Sequence, residues 1–135
     1  MISAYELIGQ MKGMVNDDFK DSEDFEAVSA YEIRSLPLPV DKIYACFSLD
    51  KAGMSYVNVE DELVRKRDTR IRVSCYVPLS KKGYVAERFA ETVTSFLIAC
   101  FSENLAGYSV GGATYESSVR AYKAEAVIEY SYLED

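Results

Sequence analysis

From Gly83 to Ser102 the chain places Val85, Phe89, Val93, Phe96, Leu97, Cys100 and Phe101 on one wide apolar stripe, with Glu87, Arg88 and Glu91 off it. That spacing predicts an amphipathic helix. A helix with so wide an apolar face needs a sheet or further helices to cover it. The preceding sequence supplies sheet. Ile71, Val73, Cys75 and Val77 alternate with Arg70, Arg72, Ser74 and Tyr76. This period of two predicts a half-buried strand over Thr69–Val77, stopped by Pro78.

The same two periods organise the rest. Tyr5, Leu7, Ile8, Met11, Met14 and Val15 recur at helical spacing, with Ser3 as N-cap and Glu6 three residues on. A first helix is therefore expected from about Ser3 to Val15, ended by Asn16-Asp17-Asp18, with an acidic loop over residues 17–24. Phe25, Ala27, Tyr31 and Ile33 share one parity against Glu26, Glu32 and Arg34, which predicts a strand ending at Leu36. Pro37-Leu38-Pro39 then forces an extended turn. Ile43, Ala45, Phe47 and Leu49 predict a second strand, and Asp50-Lys51-Ala52-Gly53 reads as a turn. Residues 54–59 are compatible with a short further strand. Glu60–Asp68 is the most charged stretch and reads as a solvated loop or arm.

Beyond the second helix, Tyr108–Tyr115 contains Gly111-Gly112 and reads as a bent or bulged strand. Ser117-Ser118 is placed in a hairpin turn. A long last strand runs over Val119–Leu133, with Tyr122, Ala124, Ala126, Ile128, Tyr130 and Tyr132 on one face and Lys123, Glu125 and Glu129 on the other. The expected fold is α+β, in the order α-β-β-(β)-β-α-β-β: an antiparallel or mixed sheet with two helices mainly on one face. At 135 residues the chain reads as one domain over 1–135, with a charged loop or arm at about 58–69.

The residue inventory narrows the chemistry. There is no histidine, which removes the commonest general base and metal ligand near neutral pH. A Ser-His-Asp or Cys-His site within one chain is thereby excluded. Cys46, Cys75 and Cys100 are widely spaced and form no CxxC pair, so they support neither a zinc site nor a disulfide framework. Each lies in an apolar pattern and is expected to be a small buried hydrophobe, which fits a reducing cytosol. Gly111-Gly112 lacks the lysine and following helix of a phosphate loop. The carboxylates Glu60, Asp61 and Glu62 sit in a charge run, whose ordinary reading is a solvated face. No enzyme, cofactor or metal is expected.

The net charge of −7 argues against nucleic acid as the main partner. The one basic cluster, Arg65-Lys66-Arg67 with Arg70 and Arg72, follows Glu60-Asp61-Glu62, and the two blocks are expected to neutralise each other. No apolar run reaches the length of a membrane span, and the N-terminal residues do not read as a signal peptide. The eleven tyrosines fit either ordinary sheet propensity or a protein interface. On the second reading Tyr76 and Arg72, on the polar face of their strand, are better placed than Tyr122.

The segment Arg67-Asp68-Thr69-Arg70-Ile71-Arg72-Val73-Ser74-Cys75-Tyr76-Val77-Pro78, the helix from Ala86-Glu87-Arg88-Phe89-Ala90-Glu91 onward, and the strand Arg120-Ala121-Tyr122-Lys123-Ala124-Glu125-Ala126-Val127-Ile128 carry a resemblance. In the order of its elements the chain resembles the tail-terminator, or tail-completion, proteins of tailed phages and prophage-like particles. The resemblance implies a small α/β structural protein without cofactor. It implies a self-assembled ring, usually a hexamer, that caps the tail tube and meets neck or head-completion proteins. Such a protein would be cytoplasmic during assembly and then part of the particle. On this reading Glu60, Asp61 and Glu62 of one copy face Arg65, Lys66 and Arg67 of the next, and Arg70, Arg72 and Tyr76 complete the candidate interface. Two other readings stay open: another neck or head-closure component, and a small monomeric module that binds a ligand or a protein.

Overall fold

The computed structural model describes residues 3–19, 25–29, 40 and 42–134. In chain order the elements are α1 (Ala4–Asp18), β1 (Phe25–Ser29), β2 (Ile43–Val59), β3 (Glu62–Pro78), α2 (Gly83–Cys100), β4 (Leu105–Val110), β5 (Thr114–Glu116) and β6 (Ala121–Glu134). The strands form one mixed sheet in the order β1-β2-β3-β6-β4, with β5 pairing β6 beside β4. β1 runs parallel to β2, and every other pairing is antiparallel. This is the expected α+β architecture, in roughly the expected order.

Register explains why both helices lie on one face. Ala27, Ala45, Cys75 and Ala124 stand in one row across the sheet, and Phe47, Val73, Ala126 and Val110 in the next. These rows face the same way and form the main core with Leu7, Ile8, Met11 and Val15 of α1 and Ala86, Ala90, Val93 and Leu97 of α2. Ala86 and Ala90 of α2 are fully buried, so this helix sits close on the sheet. Phe89 and Phe96, at the margin of its stripe, instead meet Phe19 with ring centroids 5.8 and 5.9 Å apart. A smaller cluster of Val28, Val40, Tyr44, Cys46, Val119 and Ala121, with Tyr76 against it, occupies the opposite face.

Several expectations are corrected. α1 ends within the expected Asn16-Asp17-Asp18 cluster but at Asp18, three residues beyond Val15, so residues 17 and 18 are helix and not loop; it is capped at Ser3 as expected, where the Ser3 hydroxyl accepts from the Glu6 N–H at 3.2 Å. Asn16 stays helical because its side-chain amide is used elsewhere: Oδ1 accepts from the Ala27 N–H at 2.8 Å and Nδ2 donates to the Ala27 carbonyl at 3.3 Å. β1 ends at Ser29; the continuation expected to Leu36 and the Pro37-Leu38-Pro39 turn lie outside the described residues. Cys100 is exposed at the end of α2, while Cys46 and Cys75 are buried as expected. Tyr108–Tyr115 is two strands on one flank of β6. They are separated at Gly111–Ala113, where the Ala113 N–H donates to Glu87 Oε1 at 2.8 Å.

The largest correction concerns residues 50–68. Asp50-Lys51-Ala52-Gly53 is not a turn, residues 54–59 are not a separate strand, and Glu60–Asp68 is not a loop. β2 continues through all of them to Val59, and β3 starts at Glu62. The turn is Glu60-Asp61 alone, both at positive φ (50° and 66°), as a two-residue hairpin of the mirror-image type requires. Asp50 is the extra residue of a bulge, since Leu49 pairs Ile71 and Lys51 pairs Arg70.

A candidate assembly interface

A 17-residue strand spans ~55 Å at about 3.3 Å per residue, longer than the body of a compact 135-residue chain. β2 and β3 must therefore project. From Lys51 to Arg70 no residue is buried. The charged arm expected at about 58–69 is thus the outer part of a β-ribbon, flanked on the β3 side by β6 as far as the Arg65–Glu134 pair.

Along the arm, side chains alternate between faces. Met54 pairs Arg67, Tyr56 pairs Arg65, and Asn58 pairs Leu63, all on the side continuous with the helix-covered face. Met54, Tyr56 and Leu63 are 52%, 61% and 71% exposed, large for apolar groups on one contiguous surface. Val59 and Leu133 are exposed on the other side of the ribbon.

The nine residues singled out in the sequence separate into three groups. Glu60 and Asp61 form the tip, with Glu62 opposite Val59, and none of the three makes an ion pair among the described residues. Arg65 and Arg67 turn to the helix-covered side and share Glu134, at 3.8 and 2.9 Å. By contact and by charge, that carboxylate raises the Arg67 guanidinium pKa. Lys66, on the other side, lies 3.9 Å from Asp68. The basic triplet is therefore not neutralised by Glu60-Asp61-Glu62: Arg65 and Arg67 turn to the other side of the ribbon from Glu62, and Lys66, on the same side as Glu62, lies four residues, or ~13 Å, further along β3.

Arg70, Arg72 and Tyr76 lie lower, on the opposite face. Arg70 lies 3.7 Å from Asp50 and 2.7 Å from Glu129, and Arg72 lies 2.6 Å from Asp50 and 3.5 Å from Glu125. Lys123 extends this ladder to Glu125 at 3.0 Å and Glu116 at 3.2 Å. Burial pulls the Lys123 pKa down, but the hydrogen bonds to Glu125 and Glu116 outweigh it and leave it raised. Glu116 is lowered in turn by the Ser118 hydroxyl and then by Lys123. Tyr76 is half-buried at the end of the ladder, and burial raises its phenol. It stands about nine residues, or ~30 Å, below Arg67 along β3. The nine candidates therefore do not form one contiguous patch.

Sequence reasoning missed Asp50, Glu125, Glu129 and Lys123 as partners of the arginines, and Met54, Tyr56 and Leu63 as the apolar surface of the arm. The alternation of Met54, Tyr56 and Asn58 was the available signal, displaced by one position from that of Ile43–Leu49.

Among the concavities of the described residues, two lie on the body of the fold beside the helices. One, of ≈ 600 Å³, lies where α1, the end of α2 and β6 meet and is lined by Leu7, Gln10, Cys100, Phe101, Tyr130 and Tyr132 among others. A second, of ≈ 430 Å³, runs between α2 and β4 and is lined by Glu91, Thr94, Ser95, Tyr108, Ser109 and Val110. Among the described residues no group of three His, Cys, Asp or Glu side chains is placed to hold a metal ion, and no helix is long and apolar enough to cross a membrane. No protein-family model matches the chain, and no curated protein matches it.

Proposed function

We propose that this chain is a non-catalytic structural protein that assembles with copies of itself into a ring of the tail-terminator type, a homo-hexamer that caps a tail tube and contacts neck or head-completion proteins. Its place is then the cytoplasm during assembly and the finished phage-like particle. The observation that carries the reading is the arm: twenty consecutive residues without a buried side chain, bearing Met54, Tyr56 and Leu63 in the open. Ordering so long a ribbon costs conformational entropy that its own packing does not offset, and a contact between copies supplies the missing burial.

The charges agree with a head-to-tail contact. An acidic tip without ion-pair partners among the described residues and a basic segment on the same arm do not meet within one copy, but they can meet between copies related by a rotation that closes.

The test is the mass of the purified chain by size-exclusion chromatography with light scattering. A ring gives a discrete species near six times the 15.2 kDa chain mass. Glu60→Lys with Glu62→Lys disturbs no internal ion pair and is expected to abolish that species, as is reversal of Arg65, Lys66 and Arg67 to Glu. Assembly unchanged by both reversals would sink the charge contact. A strict monomer at high concentration, and on tail tubes, would sink the ring. The ≈ 600 Å³ concavity at the α1–α2–β6 junction favours a second reading, a monomeric binding module, which a monomer retaining a small apolar ligand there would support.

A further inference from the structure

Among the described residues two edges of the sheet have no partner strand, and they match each other. β1 covers the outer edge of β2 only as far as Phe47, and among the described residues nothing pairs with that edge from Ser48 to Val59. At the other end of the sheet, the outer edge of β4 is unpaired in the same sense. Exposed edges are ordinarily blunted by charge, proline or a bulge, because they template pairing with another chain. Lys51 and the Asp50 bulge blunt the lower part of the β2 edge in this way. Ala52–Val59 and Leu105–Tyr115, by contrast, contain no Asp, Glu, Lys, Arg or Pro, in a chain that is 27% charged, and the one irregularity of β4, at Ala106, leaves Gly107–Val110 in regular register.

Direction favours their pairing. β2 and β6 run toward the arm tip, and β3 and β4 run away from it, because β6 opposes β3 and β4 opposes β6. A rotation about an axis inclined to the strands, which steps each copy along them, preserves these directions and brings Leu105–Val110 level with Ala52–Val59 of the next copy. The β4 of one copy then meets the β2 of the next in antiparallel sense, the more stable pairing.

The α2–β4 concavity fits the same occupant. Tyr108 and Val110 pair with Ile128 and Ala126, so they share the helix-covered face, and an added strand beside β4 would point alternate side chains beneath α2. On β2 the side chains of that face are Met54 and Tyr56, both exposed. Thr94 lines the concavity 1% exposed, and among the described residues its hydroxyl has no hydrogen-bond partner. A buried hydroxyl in that state is costly, and an incoming polar group relieves it.

We propose that a second copy of this chain adds its Ala52–Val59 edge to the Leu105–Val110 edge, with Met54 and Tyr56 entering the groove between α2 and β4. The inference rests on the self-assembly reading and specifies its interface. Head-to-tail edge pairing makes two defective variants complementary. Met54→Lys with Tyr56→Lys spoils one edge, and Tyr108→Lys with Ser109→Lys spoils the other, all at positions that are not buried in the single chain.

The experiment is light scattering on the unmodified chain, on each double variant and on their equimolar mixture, together with hydrogen exchange of the unmodified chain at low and high concentration. The expected result is assembly of the unmodified chain, monomers for each variant alone, and dimers from the mixture, where one competent pair of edges remains. On assembly, exchange should slow by on the order of tenfold or more in residues 52–59 and 105–110. Variants that assemble like the unmodified chain, or a mixture that stays monomeric, would overturn the edge pairing while leaving a ring by other contacts standing. An unmodified chain that is monomeric at high concentration and on tail tubes would overturn both. Should a variant misfold, exchange in the unmodified assembly decides, and unchanged protection of the two segments counts against the proposal.

Discussion

The Tyr130 hydroxyl donates a 2.9 Å hydrogen bond to the carbonyl of Phe101, joining the middle of β6 to the residue that caps α2. Tyr130 is 2% exposed, so its ring is packed on all sides. Tyr130→Phe keeps the ring packing and removes the donor, leaving a helix-terminal carbonyl unsatisfied. The expected cost is about 1–1.5 kcal/mol, read as a lower urea midpoint at unchanged m value. A loss below a few tenths would mean that the bond contributes nothing to stability.

The same residue and Cys75 set the alkaline limit of the fold. Burial pushes Tyr130 up from 10.0 to about 12, and Cys75 up from 9.0 to about 12, with Cys46 adding to the latter. Folded pKa values above the unfolded ones mean that the native state holds these protons more tightly. Their contribution is fully present below about pH 9 and is lost as pH rises toward 12. Melting temperature should therefore fall across pH 9–12, with a shallower fall in Cys75→Ala. An identical slope in that variant would remove Cys75 from the account.

Thr94→Val exchanges a buried hydroxyl without a partner for a methyl of the same shape. The isolated chain should gain about 1 kcal/mol, since an unsatisfied group is removed with no loss of packing. If a neighbouring copy partners this hydroxyl, assembly weakens in the variant while the monomer strengthens. Calorimetry at low concentration and light scattering at high concentration separate the two signs, and a monomer that loses stability would show that the hydroxyl has a role within the chain.

The tip offers a comparable exchange. Glu60 and Asp61 occupy left-handed conformations that a glutamate side chain disfavours. Glu60→Asn with Asp61→Gly supplies the residues such a turn prefers and should stabilise the hairpin by about 1 kcal/mol. Thermal unfolding measures the gain. A variant that melts higher yet no longer assembles would show that the two carboxylates are kept at the tip for contact with another copy.

At Asp50 the ion pairs and the register can be separated. Asp50→Ala removes partners from both Arg70 and Arg72 and should cost about 1 kcal/mol, less at high salt. Deleting Asp50 removes the bulge but keeps Lys51–Val59 on their present faces, because Asp50 is the supernumerary residue. The deletion should therefore fold, and far-UV and near-UV circular dichroism that both collapse would refute this register.

That bulge also explains what the sequence disclosed and what it hid. The strand over Thr69–Val77 and the helix from Gly83 were legible because burial on one side imposes an unbroken period on each. The extension of β2 was not. One extra residue moves the alternation from Ile43, Ala45, Phe47 and Leu49 to Ala52, Met54 and Tyr56, and a shift of parity reads as a break between elements. Neither Glu60 nor Asp61 is a residue that announces a mirror-image turn, so the hairpin looked like a charged loop. The basic cluster of the candidate site was visible, but its counter-ions were not. Glu134, Glu129 and Glu125 reach Arg67, Arg70 and Arg72 only through the pairing of β3 with β6, and no local pattern reports that neighbour.

β3 runs without interruption from the tip at Glu62 to the body at Pro78, bonded to β2 on one side and to β6 on the other. A load applied at the tip along the strand direction is then borne by many ladder bonds in shear at once, not by peeling them one after another. Mechanically the arm is a spoke fixed at its hub, and a displacement imposed on it by a neighbouring molecule is delivered directly to the sheet beneath the two helices.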